Sequence, residues 1–145
     1  MYNLAQVVAL ARGWGDTDDA VVRQRLADLH IRFEILRYLG YRVRTAAARG
    51  EMPGPESSVM KLAVSALYET GGDLVVALQG AAGMLTHDDA PYGGRFQDLF
   101  MSQWAPRIGG GTDQIQSNII GERVLGLPGD IRADKDVPFR DLRHA

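Results

Sequence analysis

The apolar positions of the chain recur at helical spacing over two long stretches. In the first stretch the positions are Val22, Leu26, Leu29, Phe33, Leu36, Gly40, Val43 and Ala47, at alternating intervals of four and three. These intervals place the side chains on one face of a helix, whereas a strand would alternate with a period of two. The pattern predicts a long amphipathic helix, and the side-chain oxygens of Asp16 to Asp19 can cap its N-terminus.

A second stretch repeats the pattern after a turn. The Pro/Gly-rich segment from Gly50 to Pro55 interrupts the first helix, and Ser57 and Ser58 can cap the next one. The second set of positions is Met60, Ala63 or Val64, Leu67, Gly71, Leu74, Leu78, Ala81 and Leu85. Two long helices joined by a short turn predict an antiparallel hairpin in an all-α, up-down helix bundle. Close approach of a neighbouring helix would explain Gly40 inside the first helix.

Shorter segments complete the predicted bundle over residues 1–128. A helical piece is expected from Leu4 to Arg12, one helix from Phe96 to Trp104, and a loop from Pro106 to Gly111. The last helix begins at Thr112 or Asp113 and ends at Gly126-Leu127-Pro128. Its predicted apolar face consists of Ile115, Ile119, Ile120 and Val124. Residues 129–145 are charged and lack a clear period, so they predict an extended tail on a surface, anchored by Val137 and Phe139.

Composition narrows the class of protein. The chain has 145 residues, of which 46% are apolar and 23% charged, as expected for a single globular domain. The net charge of −2 leaves no broad basic field for nucleic acid or an anionic membrane. The absence of cysteine excludes disulfides, thiolate metal sites and a cysteine nucleophile. No apolar run reaches the ~18 residues of a membrane span and no basic signal start is present, which predicts a cytoplasmic protein.

Two candidate sites have weak support from the residues alone. His30, His87 and His144 show no metal-ligand spacing, so no metal site is predicted. His87-Asp88-Asp89 could form an acid/base group, although a polar loop between helices explains it at least as well. The Gly109–Gly111 loop before a helix could cradle an anion, but it lacks the Lys-Ser/Thr ending of a P-loop and no strand precedes it.

The residues after this glycine loop form a more specific motif. Gly110-Gly111-Thr112-Asp113-Gln114-Ile115-Gln116 resembles the C-terminal signature of the acyl-CoA dehydrogenases, a family of flavoenzymes. The continuation from Asn118 to Pro128 is similar to the bacterial branch of that family. Further matches are Leu26-Ala27-Asp28, Leu36-Arg37, Lys61-Leu62 and the segment from Gln79 to Gly83. The resemblance covers the chain from about Val22 to Phe139.

The resemblance implies a fold and a place in a larger enzyme. Members of the family have an N-terminal helical domain, a middle β domain and a C-terminal four-helix bundle. This chain resembles the last of these alone, without the first long helix of the bundle. We therefore expect a fragment or the product of a truncated gene, and an exposed apolar seam that favours self-association.

The family chemistry is α,β-desaturation of an acyl-CoA thioester. A carboxylate removes the α-proton, the β-hydrogen leaves as hydride to the flavin of FAD, and the electrons pass to an electron-transfer flavoprotein. In many members the base is a Glu directly before the Gly-Thr of the signature, and the matching residue here is Gly110. No catalytic side chain is therefore assigned, although the Gly110 backbone N–H could contact the thioester oxygen. Some branches place the base on the first long helix of the bundle.

The resemblance also implies cofactor contacts. Thr112 and Gln114 match positions that contact FAD, and the turn from Gly80 to Gly83 matches a Gly-Gly-x-Gly that approaches the flavin of a neighbouring subunit. Ala81 replaces one of those glycines, and Ala77 stands where a FAD-contacting Gln often occurs, with Gln79 nearby. These departures predict weak or absent FAD binding by the isolated chain.

Three functional hypotheses follow. The first is the FAD-binding and oligomerising bundle of a bacterial acyl-CoA dehydrogenase, inactive when isolated. The second is a non-catalytic subunit of a heteromeric dehydrogenase that lends half of a flavin site to its partner. The third is a helical interaction protein with enzymatic ancestry and a structural role.

Overall fold

The protein is all-helical over the part of the chain that can be described. A computed structural model describes residues 3–14, 16–51, 54, 56–129 and 137–138. The α-helices are α1 Leu4–Gly13, α2 Ala20–Ala48, α3 Glu56–Leu78, α4 Arg95–Ser102, α5 Ala105–Ile108 and α6 Asp113–Ile119. Shorter 3-10 turns occupy Asp16–Asp18, Gly80–Met84, His87–Asp89 and Pro91–Gly94, and a π-helical turn, Ile120–Val124, continues α6. The predicted all-α bundle is confirmed, with α2 and α3 as its hairpin and α4 packed against α3.

The short first helix contributes to the core. Asn3 caps α1 by accepting a hydrogen bond from the Gln6 backbone N–H at 3.0 Å, and the Gln6 side chain accepts one from the Asn3 N–H at 3.2 Å. This reciprocal cap satisfies two backbone donors that a helix start leaves unpaired. Val7 and Leu10 are fully buried against the rest of the bundle. The predicted helical piece from Leu4 is therefore confirmed as a packed element.

The predicted seam of α2 packs against the buried core as far as Leu36. Asp19 caps α2, as its carboxylate accepts from the backbone N–H groups of Val21 and Val22. Leu29 is fully buried, and the partly buried seam residues packed around the core are Val22, Leu26, Phe33 and Leu36. The expected close approach at Gly40 is not made within the described part of the chain, where a Cβ at this position would meet the Arg44 guanidinium alone, at 3.9 Å.

Helix α3 is the central element of the bundle. Its residues Leu67, Leu74, Val75 and Leu78 are all in the buried core. Close helix contact occurs at Gly72, where a Cβ would lie 3.2 Å from the Cα of Phe100 in α4. The second seam ends at Leu78, earlier than predicted, because the chain turns at Gly80 with φ +53°. Ala81 and Leu85, which the seam had included, are exposed beyond that turn.

The C-terminal third differs from the prediction in detail. The helix expected from Phe96 to Trp104 is α4, and Pro106 lies in the first turn of a short helix, α5, where a loop was predicted. Proline fits the first turn of a helix because its missing N–H would be unpaired there in any case. The loop is therefore limited to Gly109–Gly111. Helix α6 begins after Thr112, as expected.

The predicted apolar face of the last helix is buried only in part, because Ile119 and Ile120 are half-buried and its other two residues are exposed. Ile115 is 52% exposed and Val124 39% exposed, whereas Gln116 is buried. The Gln116 amide faces the glycine loop, where its Nε2 donates to the Gly110 carbonyl oxygen at 2.7 Å. Among the described residues, no helix is both long and apolar enough to cross a membrane. The predicted tail lies outside the described residues apart from positions 129, 137 and 138, and Val137 is 40% exposed.

Candidate functional site

The glycine loop between α5 and α6 presents its backbone to solvent. Gly110 and Gly111 have φ values of +69° and +94°, a region that side-chain-bearing residues rarely adopt. Gly110 is exposed, and a Cβ built on it would meet no atom within 4 Å. Its carbonyl oxygen accepts a hydrogen bond of 2.7 Å from Gln116 Nε2. The outer side of the loop is thus exposed to solvent, whereas the hydrogen bond from Gln116 holds its inner side.

The two predicted cofactor contacts beside this loop differ in their structural roles. Thr112 caps α6, because its hydroxyl oxygen accepts from the Ile115 backbone N–H at 3.3 Å. The hydroxyl proton of Thr112 is not used by that bond and can be donated to another group. Gln114, in the first turn of α6, is exposed. Both side chains can therefore reach a ligand outside the bundle.

A group of charged residues surrounds the base of the loop. Asp113 pairs with Lys61 of α3 at 3.0 Å and with Arg107 of α5 at 2.9 Å. Arg107 also pairs with Glu69 of α3 at 2.9 Å. The side chains of Lys61 and Asp113 are only 18% and 21% exposed, so solvent screens their attraction less than it would at an open surface. Ser65 adds a hydrogen bond of 3.1 Å to the carbonyl oxygen of Pro106.

These contacts change the acidity of Asp113. The hydrogen bond from Lys61, followed by the one from Arg107, holds the pKa of the Asp113 carboxyl below its usual range, against the opposing effect of burial. A carboxyl whose pKa falls on folding stabilises the fold at neutral pH, and that contribution is lost as the pH falls through the folded-state pKa.

The pH dependence of the unfolding free energy should report the ionisation of the Asp113 carboxyl. We expect the difference in unfolding free energy between wild type and Asp113→Asn, roughly 1–2 kcal/mol at neutral pH, to be constant above about pH 5 and to shrink below about pH 4. Denaturant unfolding at a series of pH values measures it. A difference that stayed constant down to about pH 2 would contradict the assignment.

A cleft of about 530 Å³ lies beside the same loop. Its walls include Gly110 and Gln116, together with Ser57 and Lys61 near the start of α3 and Arg123 after α6. Polar and cationic side chains therefore share this space with the exposed glycine backbone. The sequence motif alone did not predict that the N-terminal end of α3 lies beside this loop.

The second predicted group of cofactor contacts lies in the turn after α3. Gly80 is exposed, with open space around it. Gly83 is buried, and a Cβ there would lie 2.7 Å from the carbonyl oxygen of Val76. Packing against α3 is thus sufficient to require glycine at position 83, whatever else the turn contacts.

Gln79 belongs to the core of this turn. It is 1% exposed, and its Nε2 donates to the Val75 carbonyl oxygen at 2.9 Å. Its Oε1 accepts from Gln97 Nε2 at 3.3 Å, and the same nitrogen of Gln97 donates to the Ala82 carbonyl oxygen at 3.1 Å. Gln79 is therefore unavailable to replace the cofactor-contacting Gln that the family often has near Ala77.

The structure does not bring the two predicted groups together. Lys61 contacts Asp113 at one end of α3, whereas Gly80 follows the other end. At a rise of ~1.5 Å per residue, these ends are roughly 25 Å apart. The loop at Gly110 and the turn at Gly80 are thus two separate surfaces of the domain.

The other candidate acid/base residues lie at the surface. His87, Asp88 and Asp89 are exposed in a 3-10 turn rather than gathered in a cleft. Within the described ranges, no group of three or more His, Asp or Glu side chains could hold a metal ion.

Sequence reasoning missed the charged residues that hold the loop. Lys61, Ser65 and Glu69 recur every four residues on α3, a polar spacing that marks one face of a helix. That face could have been recognised as the one opposite the apolar seam. Its partners, Arg107 and Asp113, were not predictable because the contacts cross more than 35 residues of chain.

Comparison with known proteins gives a consistent result. A family profile described as "Acyl-CoA dehydrogenase, C-terminal domain" matches residues 4–125. The acyl-CoA dehydrogenase IpdE1 of Mycolicibacterium smegmatis is 34% identical over 128 residues, which is 88% of this chain. The protein of the same name from Mycobacterium tuberculosis is 34% identical over 131 residues. The chain spans 31% of the length of each of these relatives.

Solved structures share the fold. The structure titled "Tcur3481-Tcur3483 steroid ACAD" superposes with a TM-score of 0.78 at 23% identity, covering 88% of this chain and 34% of that one. The ChsE4-ChsE5 complex from Mycobacterium tuberculosis superposes with a TM-score of 0.73 at 24% identity, covering 88% and 36%. At these identities the superpositions establish the arrangement of helices.

Proposed function

Because the chain belongs to the acyl-CoA dehydrogenase family, as the helical C-terminal domain of such a protein, we propose that it contacts FAD and neighbouring subunits in an enzyme that desaturates acyl-CoA thioesters. Electron-transfer flavoprotein accepts the electrons in this proposal. The observation that carries it is the exposed Gly110 backbone, with Thr112 two residues later as the N-cap of α6. That arrangement places backbone and hydroxyl donors side by side at the surface of the domain.

The residues around the loop fit a cofactor with polar acceptor groups. Thr112 can donate its hydroxyl proton while it caps α6, and the exposed amide of Gln114 can donate as well. Bound FAD would supply the acceptor of the β-hydride. The turn after α3 contains the other predicted cofactor contacts, Gly80 and Gly83. Of these two, Gly80 has the exposed backbone and fits a contact with the flavin of a neighbouring subunit better than buried Gly83 does.

The backbone N–H of Gly110 is proposed to donate to the thioester oxygen. This contact needs no side chain, so glycine can provide it as well as the Glu found in many relatives. A donor aimed at an oxygen that gains charge in the transition state lowers the barrier, and removal of one such donor typically slows a reaction by about 10²–10³-fold.

The proposed general base is not on this loop. Gly110 has no carboxylate, and Asp113, three residues later, is paired with both Lys61 and Arg107, which lower its pKa. A carboxylate stabilised in this way is a poor proton acceptor. We therefore infer that the base lies outside this loop, on another segment of the complete enzyme, as in the family branches that place it on the first long helix, or on a partner chain.

A partner chain is the basis of a second candidate function. The chain would then be the subunit of a heteromeric dehydrogenase that lends cofactor contacts without a base. The solved ChsE4-ChsE5 complex, which shares this fold, favours this alternative. Purification of the complete protein together with a second dehydrogenase-like chain would support it. An enzyme that is fully active as a homomer would contradict it.

FAD occupancy tests the cofactor contacts. In the complete enzyme we expect Gln114→Ala to lower the ratio of FAD to protein, or to raise the FAD dissociation constant about tenfold, without lowering the melting temperature. The loss corresponds to one hydrogen bond to an ionic or polar group, ~1.5 kcal/mol. Flavin absorbance measures the ratio, and Gln24→Ala, an exposed glutamine on α2, is the matched control. Equal FAD affinity in both variants would contradict the role of Gln114.

The isolated chain provides a further check. We expect it to purify without stoichiometric yellow flavin and without acyl-CoA oxidation, because the two proposed cofactor surfaces face different flavins. A stoichiometric flavin spectrum would contradict that expectation. The proposed cofactor contacts of this domain can also be removed by substitution in the complete enzyme. If that enzyme still bound FAD normally and remained active, a purely structural role for the domain would be favoured.

A further inference from the structure

The segment that leads into and out of the glycine loop is tied to α3 at several points. Four polar residues of α3, spaced every fourth position, make these contacts: Lys61, Ser65, Glu69 and Asp73. Their partners are, in the same order, Asp113, the Pro106 carbonyl, Arg107 and Gln103. One face of α3 therefore holds the chain from position 103 to position 113.

Arg107 has a special place among these contacts. Its Nη1 lies 2.9 Å from Glu69 Oε1, and its Nε lies 2.9 Å from Asp113 Oδ2. It precedes the three glycines, Asp113 follows them, and the ion pair between the two closes the loop across its base. Three consecutive glycines have the largest backbone freedom of any sequence. A bridge between the two ends, also anchored to α3, removes much of that freedom.

This bridge depends on the shape of the guanidinium group. Arginine presents several N–H donors in a planar fork and can meet two carboxylates in different directions at once. A lysine ammonium at the same position keeps the charge but is a single point on a flexible stem. The Arg107→Lys substitution therefore separates the bridging geometry from the charge.

We propose that Arg107 is a positioning residue that fixes the backbone N–H of Gly110 for the reaction, with Glu69 and Asp113 as its two anchors. The inference rests on the function proposed above, in which that N–H contacts the thioester oxygen. Arg107 itself touches neither substrate nor cofactor in this role. Its effect is to keep the donor in place, and a displacement of about 1 Å at a reacting group can cost up to ~10²-fold in rate.

Hydrogen exchange on the 145-residue chain tests the bridge directly. With Arg107→Lys we expect the amides of residues 105–116 to exchange about tenfold faster or more, while those of α2 are unchanged. Arg32→Lys is the matched control, because Arg32 forms a similarly half-buried ion pair, with Asp28 at 2.8 Å on α2, far along the chain from the glycine loop. Glu69→Gln removes the other anchor and provides a second test should Arg107→Lys unfold the chain. Unchanged exchange of residues 105–116 in both variants would overturn the inference.

Steady-state kinetics of the complete enzyme test whether Arg107 affects the reaction rate. We expect Arg107→Lys to lower kcat about tenfold or more with little change in KM or in FAD content, since the contact is made mainly in the transition state. A merely structural role would lower the amount of folded, flavin-loaded enzyme and leave kcat per flavin unchanged, which would overturn the inference. A wild-type enzyme that did not oxidise any acyl-CoA would overturn the proposed function itself, and this inference with it. An active wild type with an equally active Arg107→Lys variant would overturn this inference alone.

Discussion

Leu74→Ala is expected to destabilise the domain by about 3 kcal/mol. Leu74 is fully buried in the last third of α3, the helix that packs against α1, α2 and α4, and it belongs to the core that these helices share. Removing three carbon atoms from such a site loses their burial and leaves a cavity that the helices cannot fully close. The melting temperature of a domain of this size should fall by roughly 10 °C.

Denaturant and thermal unfolding followed by circular dichroism measure this effect. Ile35→Ala is the control, because Ile35 on α2 is 48% exposed and its truncation should change stability by less than about 0.5 kcal/mol in the isolated chain. Similar losses in the two variants would mean that the buried core is not where the structure places it.

Gly83→Ala is expected to destabilise the isolated domain by about 2 kcal/mol, even though position 83 was predicted from sequence as a cofactor contact. The new Cβ would lie 2.7 Å from the Val76 carbonyl oxygen and 3.0 Å from Val76 Cγ1. Backbone at the end of α3 cannot move away easily, so the added methyl group strains the turn. The effect should be present without any cofactor.

Gly80→Ala is the matched comparison in the same turn. Position 80 has φ +53° and open space around it, so the cost there is backbone strain alone, about 1 kcal/mol. Unfolding of the two variants without FAD should therefore rank Gly83→Ala as the more damaging. A Gly83→Ala chain as stable as wild type would show that the turn does not pack as described, and would favour a role for Gly83 in ligand contact.

The exposed apolar residues of the C-terminal third fit the position of this domain within longer proteins. Met101, Trp104, Ile108 and Ile115 are each more than half exposed. The relatives are about three times as long as the region they share with this chain. Such residues are candidates for contacts with other domains or subunits, and the expectation of self-association by the isolated chain stays a prediction.

Local patterns predicted the elements well, because they depend on near neighbours. The spacing of Val22, Leu26 and Leu29 predicted α2, and Asp19 and Thr112 act as the helix caps that their positions indicated. The errors arose where a local pattern competed with packing. Gln116 lies inward, where its amide hydrogen-bonds to the Gly110 carbonyl oxygen, and Ile115 lies outward.

The sequence by itself determined the family, the helical fold and the absence of a carboxylate at Gly110, because these follow from residue identity and short-range spacing. Only the tertiary structure decided which candidates can reach a ligand. It buried Gly83 and Gln79, exposed Gly80 and Gln114, and joined Arg107 to Glu69 and Asp113. The physical reason is that burial and ion pairing depend on which helices meet, and a periodic pattern along one helix does not specify the residues of another helix that will face it.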